Sequence, residues 1–311
     1  MTKNVIRRSL AAVGLAALAL GVAADLAAAA AQSADGHYPR APFATRAESL
    51  RLARKLLARA MLPPGTRRFQ GKKLPAALNA PPEELGASPL IDVHRVFTEQ
   101  WSMRRTVRFL NHHRPAGWSY YGTGYGYQLD HGKQIPLQEY ATYRPKQVGP
   151  AFSVVEMLVN VVPGRHGHAL TRVDIQVVWY RHRPAAAYLI ARHFRAVRVD
   201  EFGYGPHGRH LKRTFRQHAI IDKLTRVLNA EPVAPGGTWS CPMFGPGYNG
   251  QTVKLTFNPV KGKAGAIVTG YICPPGYELS IGGHNQPTLA DNGKIEKIAD
   301  KLLRGSHQPK R

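Results

Sequence analysis

Hydrophobic and polar residues alternate across residues 151–182, the period of strands that bury one face. Val155, Met157, Val159 and Val161 fall on one side of the first run, with Glu156 and Asn160 on the other. In the second run Val173, Ile175, Val177 and Trp179 share a side, opposite Arg172, Asp174, Gln176, Tyr180 and His182. Pro163, Gly164 and Gly167 interrupt the alternation, so the two runs predict a β-hairpin. Its apolar side should pack on helices; its polar side should be wet or line a cleft. Any register that joins the two apolar faces brings Glu156 near Asp174 or Gln176.

A helical period governs other stretches. Over 45–61, Leu50, Ala53, Leu57 and Ala60 form a stripe, and Thr45 with Glu48 resembles a capping box. Arg51, Arg54, Lys55 and Arg59 lie beside that stripe and read as a solvated basic face. Pro63, Pro64 and Gly65 end the segment. Residues 102–113 predict a short helix with Met103, Val107 and Leu110 on one side. Residues 211–228 predict a longer one, with Phe215, Ile220, Leu224 and Leu228 as its stripe. Residues 291–303 predict a last helix with Ile295, Ile298 and Leu302 inward and Asp291 as its cap.

Strand patterns recur at 90–98 and 191–202, and three short runs at 252–257, 265–272 and 277–281 predict a meander. Residues 71–89, rich in Pro and Ala, read as an irregular connection. The expected fold is α+β: mainly antiparallel sheet with flanking helices, and a C-terminal β-meander tied by one disulfide. The segments are a signal peptide (1–31), a flexible leader (32–45), an α+β domain (46–232), a β-meander with a C-terminal helix (233–304) packed on it, and a basic tail (305–311).

The start of the chain changes the setting. Lys3, Arg7 and Arg8 precede an apolar run, and small residues Ala29, Ala30 and Ala31 follow before Gln32. That order is a secretory signal, with cleavage after Ala31 and either the general or the twin-arginine route open. No later stretch is long and apolar enough to span a bilayer. An exported chain with two cysteines, Cys241 and Cys273, is expected to pair them. The closed loop of about 33 residues corresponds to ~3–4 kcal/mol of chain entropy.

Charge is the strongest compositional signal. The whole chain carries +24, and losing Lys3, Arg7 and Arg8 together with Asp25 leaves about +22 on the mature protein. Such a surface is drawn to anionic partners, a cell-envelope polymer or a membrane surface. Solubility alone is the plainer reading of the same charge, and both stay open.

Candidate chemistry is sparse. No HExxH, GxSxG or SxxK motif occurs. Glu156 and Asp174 are the candidate carboxylate pair, since proximity drives two carboxyl pKa values apart. Trp118, Tyr120, Tyr125 and Tyr127 interleave with Gly122, Gly124 and Gly126, either as a stacking platform or as an irregular, bulged strand. No cofactor is expected, and no metal site either: His166 with His168, His112 with His113, and His182 all lack further ligands at known spacing. No zinc finger or other base-reading signature appears, so sequence-specific nucleic-acid binding is not expected.

Leu62 to Gly65 (Leu-Pro-Pro-Gly), residues 90–95, residues 113–117, the run 172–179, the helix ending at 227–230, and Cys241-Pro242 with the second Cys occur in a fixed order. Together they resemble a group of uncharacterised exported proteins of high-GC Gram-positive bacteria, over most of residues 46–303. The resemblance implies an extracytoplasmic α+β protein and transfers no activity and no site. The sequence supports two functions: a non-enzymatic, envelope-associated binder of anionic polymers, or a secreted hydrolase of wall or carbohydrate substrates using Glu156 and Asp174.

Overall fold

The computed structural model describes residues 41–131, 133–203, 210–237, 251–272, 275–291 and 293–304. The expected signal peptide, most of the leader, the basic tail and the Cys241–Cys273 pairing lie outside the described residues. The described chain is α+β: two six-stranded antiparallel sheets and, among these residues, four α-helices. It divides into two compact units. The first holds Pro42–His182 and the described part of Ala234–Cys241; the second holds Arg183–Val233 and the described part of Pro242–Arg311.

In the first unit, helix α1 (Arg46–Leu57) starts at the expected capping box. The Glu48 N–H donates to Thr45 Oγ1 at 3.2 Å, and the Thr45 N–H donates to Glu48 Oε2 at 2.8 Å. Ala53 and Leu57 are buried, and Leu50 and Ala60 pack at the margin of the same core. Residues 41–44 are held, although a flexible leader was expected there. Ala44 is buried, and its N–H donates to the Tyr180 carbonyl at 3.0 Å.

The strands of this unit are β1 (Arg67–Arg68), β2 (Ala87–Ser88), β3 (Leu90–Glu99), β4 (Trp118–Asp130), β5 (Lys133–Pro145), β6 (Phe152–Pro163) and β7 (Ala169–Trp179). Helix α2 (Met103–His112) connects β3 to β4. The sheet order is β1-β3-β7-β6-β5-β4. The β6–β7 hairpin predicted from alternation is its centre. In its register Glu156 faces Gln176, Leu158 faces Asp174 and Asn160 faces Arg172. Val155, Met157, Val159, Val173, Ile175 and Val177 form the core with α1 and α2.

The other face of the hairpin is not wet. Glu156, Asn160, Arg172, Asp174 and Gln176 are all buried. The cause is residues 69–89, which cross this face as a strap. Regular structure is minimal there: one 3-10 turn at Ala76–Leu78, and β2 pairing with β10 (Gly236–Gly237). The polar side chains of the sheet satisfy the strap's backbone instead. Gln176 accepts from the Leu85 N–H and donates to the Glu83 carbonyl, both at 3.0 Å. Asn160 donates to the Ala77 carbonyl and Arg172 to the Leu78 carbonyl, both at 2.9 Å. The alternation therefore identifies two faces correctly, but polarity here means backbone pairing rather than solvent.

The second unit contains β8 (Phe194–Gly203), β9 (His210–Phe215), β11 (Gln251–Pro259), β12 (Ala266–Ile272), β13 (Pro275–Ile281) and β14 (His284–Asn285), with helices α3 (His218–Ala230) and α4 (Lys294–Arg304). The predicted meander is present, and β8 and β9 extend it in the order β14-β13-β12-β11-β8-β9. Residues 183–233 thus build this sheet, where the hydrophobic pattern had placed them in the preceding domain.

The helix expected over 211–228 begins only at His218. Residues 210–215 pair with β8, from Phe202↔His210 to Val197↔Phe215. Phe215 reaches the core from a strand, and Leu224 and Leu228 reach it from α3, so one stripe spans two elements. In α4 the buried line is Ile295, Ala299 and Leu303, with Ile298 and Leu302 at its edge.

Candidate anion-binding groove

Helix α2 turns Thr106, Val107 and Leu110 inward, at the three- and four-residue spacing of one helical face. That choice sends Arg104, Arg105 and Arg108 outward, all exposed. Together with Trp101, Ser102, Phe109, His112 and His113 they line a groove of about 540 Å³. Among the described residues, none that lines it is acidic.

Aromatic rings form the floor of the groove. Trp101 meets Phe109 edge-on, with ring centroids 5.7 Å apart, and Phe109 stacks on His113 at 4.1 Å. The Arg105 guanidinium lies 4.1 Å from the centre of the Trp101 ring, a cation–π contact that holds the charge over an aromatic surface. His113 is fixed by its own N–H, which donates to the Phe109 carbonyl at 2.8 Å, and by its Nδ1 at 2.9 Å from the same oxygen. The first turn of α2 contains no acidic residue, so the positive end of the helix dipole adds to Arg104 and Arg105. The arrangement presents planar, multidentate donors beside stacking surfaces. That chemistry suits phosphate, sulfate or carboxylate groups on a polymer.

The residues singled out from sequence are dispersed. Trp118 is a core residue at 9 % exposure. Tyr120 meets the buried Tyr143 edge-on at 6.1 Å. Tyr125 is 70 % exposed and stacks on Tyr127 at 5.9 Å. Strand β4 is bulged between Tyr120 and Gly122 and between Gly126 and Tyr127. The strand is irregular, as in the plainer reading, yet Tyr120, Tyr125 and Tyr127 are all exposed, and Tyr125 and Tyr127 stack in the open.

Glu156 and Asp174 are not an open pair. Glu156 accepts from Arg144 Nε at 2.7 Å. Asp174 accepts from Arg172, with Nε 2.8 Å from Oδ1 and Nη2 2.6 Å from Oδ1. The carboxylate that Asp174 does meet is Asp92 of β3, which the sequence reading missed. Burial and the Asp174 charge push the Asp92 carboxyl up to about 6. Asp92 and His94 alternate on one face of β3, and His94 sits opposite Asp174 in the register. Among the described residues, Asp92, His94 and Asp174 are the group whose ligating atoms all lie within 4.8 Å of one another.

The histidines noted from sequence do not join that group. His168 Nδ1 lies 3.0 Å from the Gln100 carbonyl, and His182 packs edge-on to Phe43 at 4.9 Å. His112 and His113 enter the groove. The groove itself had a sequence signal: four arginines and two histidines within residues 101–114, with no acid among them.

No family model matches the chain, no curated protein matches it in sequence, and no solved structure matches it in fold. Among the described residues no helix is long and apolar enough to cross a membrane.

Proposed function

We propose that this is an exported, non-enzymatic protein of the cell envelope that binds anionic polymers through the Trp101–His113 groove. The observation that carries the reading is the groove's lining: three exposed arginines and two histidines beside aromatic rings, with no acid among the described lining residues. The distributed net charge, +24 on the whole chain less the excess of two in the signal segment, brings polyanions to the surface, and the groove gives them a place to dwell. Binding to purified envelope polymer, measured across a salt series, tests this. The affinity should fall steeply with salt, because each neutralised anionic group releases counterions. Absence of binding at low salt would sink the proposal.

The alternative of a hydrolase using Glu156 and Asp174 gains nothing from the geometry. Both carboxylates are buried beneath the strap and ion-paired to arginine.

Export and the disulfide belong to the same proposal, as does membership of the actinobacterial group resembled above. The secreted protein should begin at Gln32. A peptide map without reductant should give one linked pair containing Cys241 and Cys273; two alkylatable thiols would contradict it.

A further inference from the structure

The Asp92, His94 and Asp174 cluster is separate from the groove residues and plays no part in the binding just described. Strand geometry places its members: Asp92 and His94 are two apart on β3, and Asp174 faces His94 from β7. Burial is graded across the cluster. Asp174 is fully buried, Asp92 is half-buried and His94 is exposed, so the cluster opens to solvent on the His94 side.

Charge within it is not balanced. Arg172 neutralises Asp174 and anchors itself on the Leu78 carbonyl. The same guanidinium also acts on Asp92, and Gln176 hydrogen-bonds to it, so one cation serves two carboxylates, and Asp92 Oδ1 is left buried without a hydrogen-bond donor. A buried, unpartnered carboxylate oxygen beside a second carboxylate calls for a cation or a proton. One imidazole and two carboxylates within 4.8 Å of one another form a ligand set for a single ion. Bonds of ~2.0–2.2 Å would span that spacing after a small closing movement, which the exposed His94 side chain can supply.

We propose that Asp92, His94 and Asp174 bind one divalent transition-metal cation of the zinc type. Arg172 is the positioning residue, holding the Asp174 carboxylate in one orientation. The imidazole selects against magnesium and calcium, which favour all-oxygen sites. Three protein ligands leave a position open to water or to a further ligand.

The test is calorimetric titration of the chelator-stripped, dialysed protein with zinc chloride near neutral pH, with magnesium chloride as the comparison. One tight zinc site per chain is expected, and no comparable magnesium site. His94→Ala and Asp92→Asn should each weaken it at least about tenfold, the lower end of the loss seen even for outer-shell changes. His284→Ala, an exposed histidine in the second unit, should leave it intact. His94 is exposed, so its alanine variant keeps the fold and decides the matter even if Asp92→Asn does not. No tight zinc site, or a site of unchanged affinity in His94→Ala, overturns the proposal and leaves the proton as the partner of the two carboxylates.

Discussion

Arg183 is buried to 1 % exposure with backbone carbonyls as its hydrogen-bond acceptors. Its Nη1 donates to Leu228 at 2.6 Å and Glu231 at 3.3 Å, and its Nη2 donates to Ala187 at 2.5 Å. The first two acceptors lie at the C-terminal end of α3, where the dipole is negative, and the Leu228 carbonyl also accepts from the Glu231 N–H at 3.2 Å. Burial pulls the guanidinium down to about 10, so it stays charged at neutral pH. Arg183→Met should cost about 3 kcal/mol in urea unfolding, because it removes three hydrogen bonds made by a buried charged donor. Arg183→Lys should recover only part of that, since an ammonium lacks the planar fork. Equal stability of all three proteins would show that the carbonyls find other donors. The sequence reads Arg183-Pro184 as a turn, which is correct for the backbone; that the side chain turns inward depends on a helix 45 residues away.

Glu99 shows the opposite case, a buried acid without a cation. It is fully buried, accepts from the Thr66 hydroxyl, and has one oxygen without a partner. Burial raises its carboxyl above the ordinary value of 4.5. A raised folded pKa means that the folded state holds the proton more tightly than the unfolded state. Its contribution to stability is therefore full below about 4.5 and is lost as pH rises through the folded value. Glu99→Gln should remove that loss. Its thermal midpoint should match the wild type in acid and exceed it at neutral pH, and parallel curves would contradict the assignment.

At the scale of elements, the strap is what the sequence conceals. Residues 71–89 have neither strand nor helix period, and their order comes from side chains 57 to 93 positions away. Gln176→Leu should leave the Leu85 N–H and the Glu83 carbonyl unpaired, at a cost of about 1–3 kcal/mol. Hydrogen exchange at the Leu85 amide should speed up selectively; protection unchanged there would mean that the strap is held elsewhere. Gly124 supports the same device from β4. An added Cβ would meet Tyr140 Oη at 2.2 Å, and that hydroxyl donates to Glu83 Oε1 at 2.6 Å. Gly124→Ala should therefore displace Tyr140 and add its own loosening of the strap.

Other elements were legible for definite reasons. The β6–β7 hairpin alternates clearly at its centre, from Arg172 to Val177 on β7, and α1 carries a complete capping box. The boundary between β9 and α3 was not legible, because Phe215, Leu224 and Leu228 serve one core from two elements. The Asp92–Asp174 contact was hidden for a simpler reason. The hairpin register alone does not say that β3 lies on the far side of β7.

For the whole molecule, charge is the property that links sequence to proposed function. A chain at +24 is attracted to polyanions wherever its lysines and arginines lie, so binding alone does not locate a site. The groove on α2 makes a sharper claim, that position matters as well as amount. Helix α1 provides the comparison within the same unit. Its Arg51 and Arg54 are exposed, as are Arg104 and Arg108 of α2, but none of the α1 residues lines the groove.

The most direct measurement compares two charge-matched variants, Arg104→Glu with Arg108→Glu and Arg51→Glu with Arg54→Glu, for binding to the same purified anionic envelope polymer at one fixed salt concentration. Our account predicts that the α2 variant loses at least tenfold in affinity while the α1 variant stays close to wild type. Equal losses in the two variants would contradict it, because net charge alone would then explain the binding.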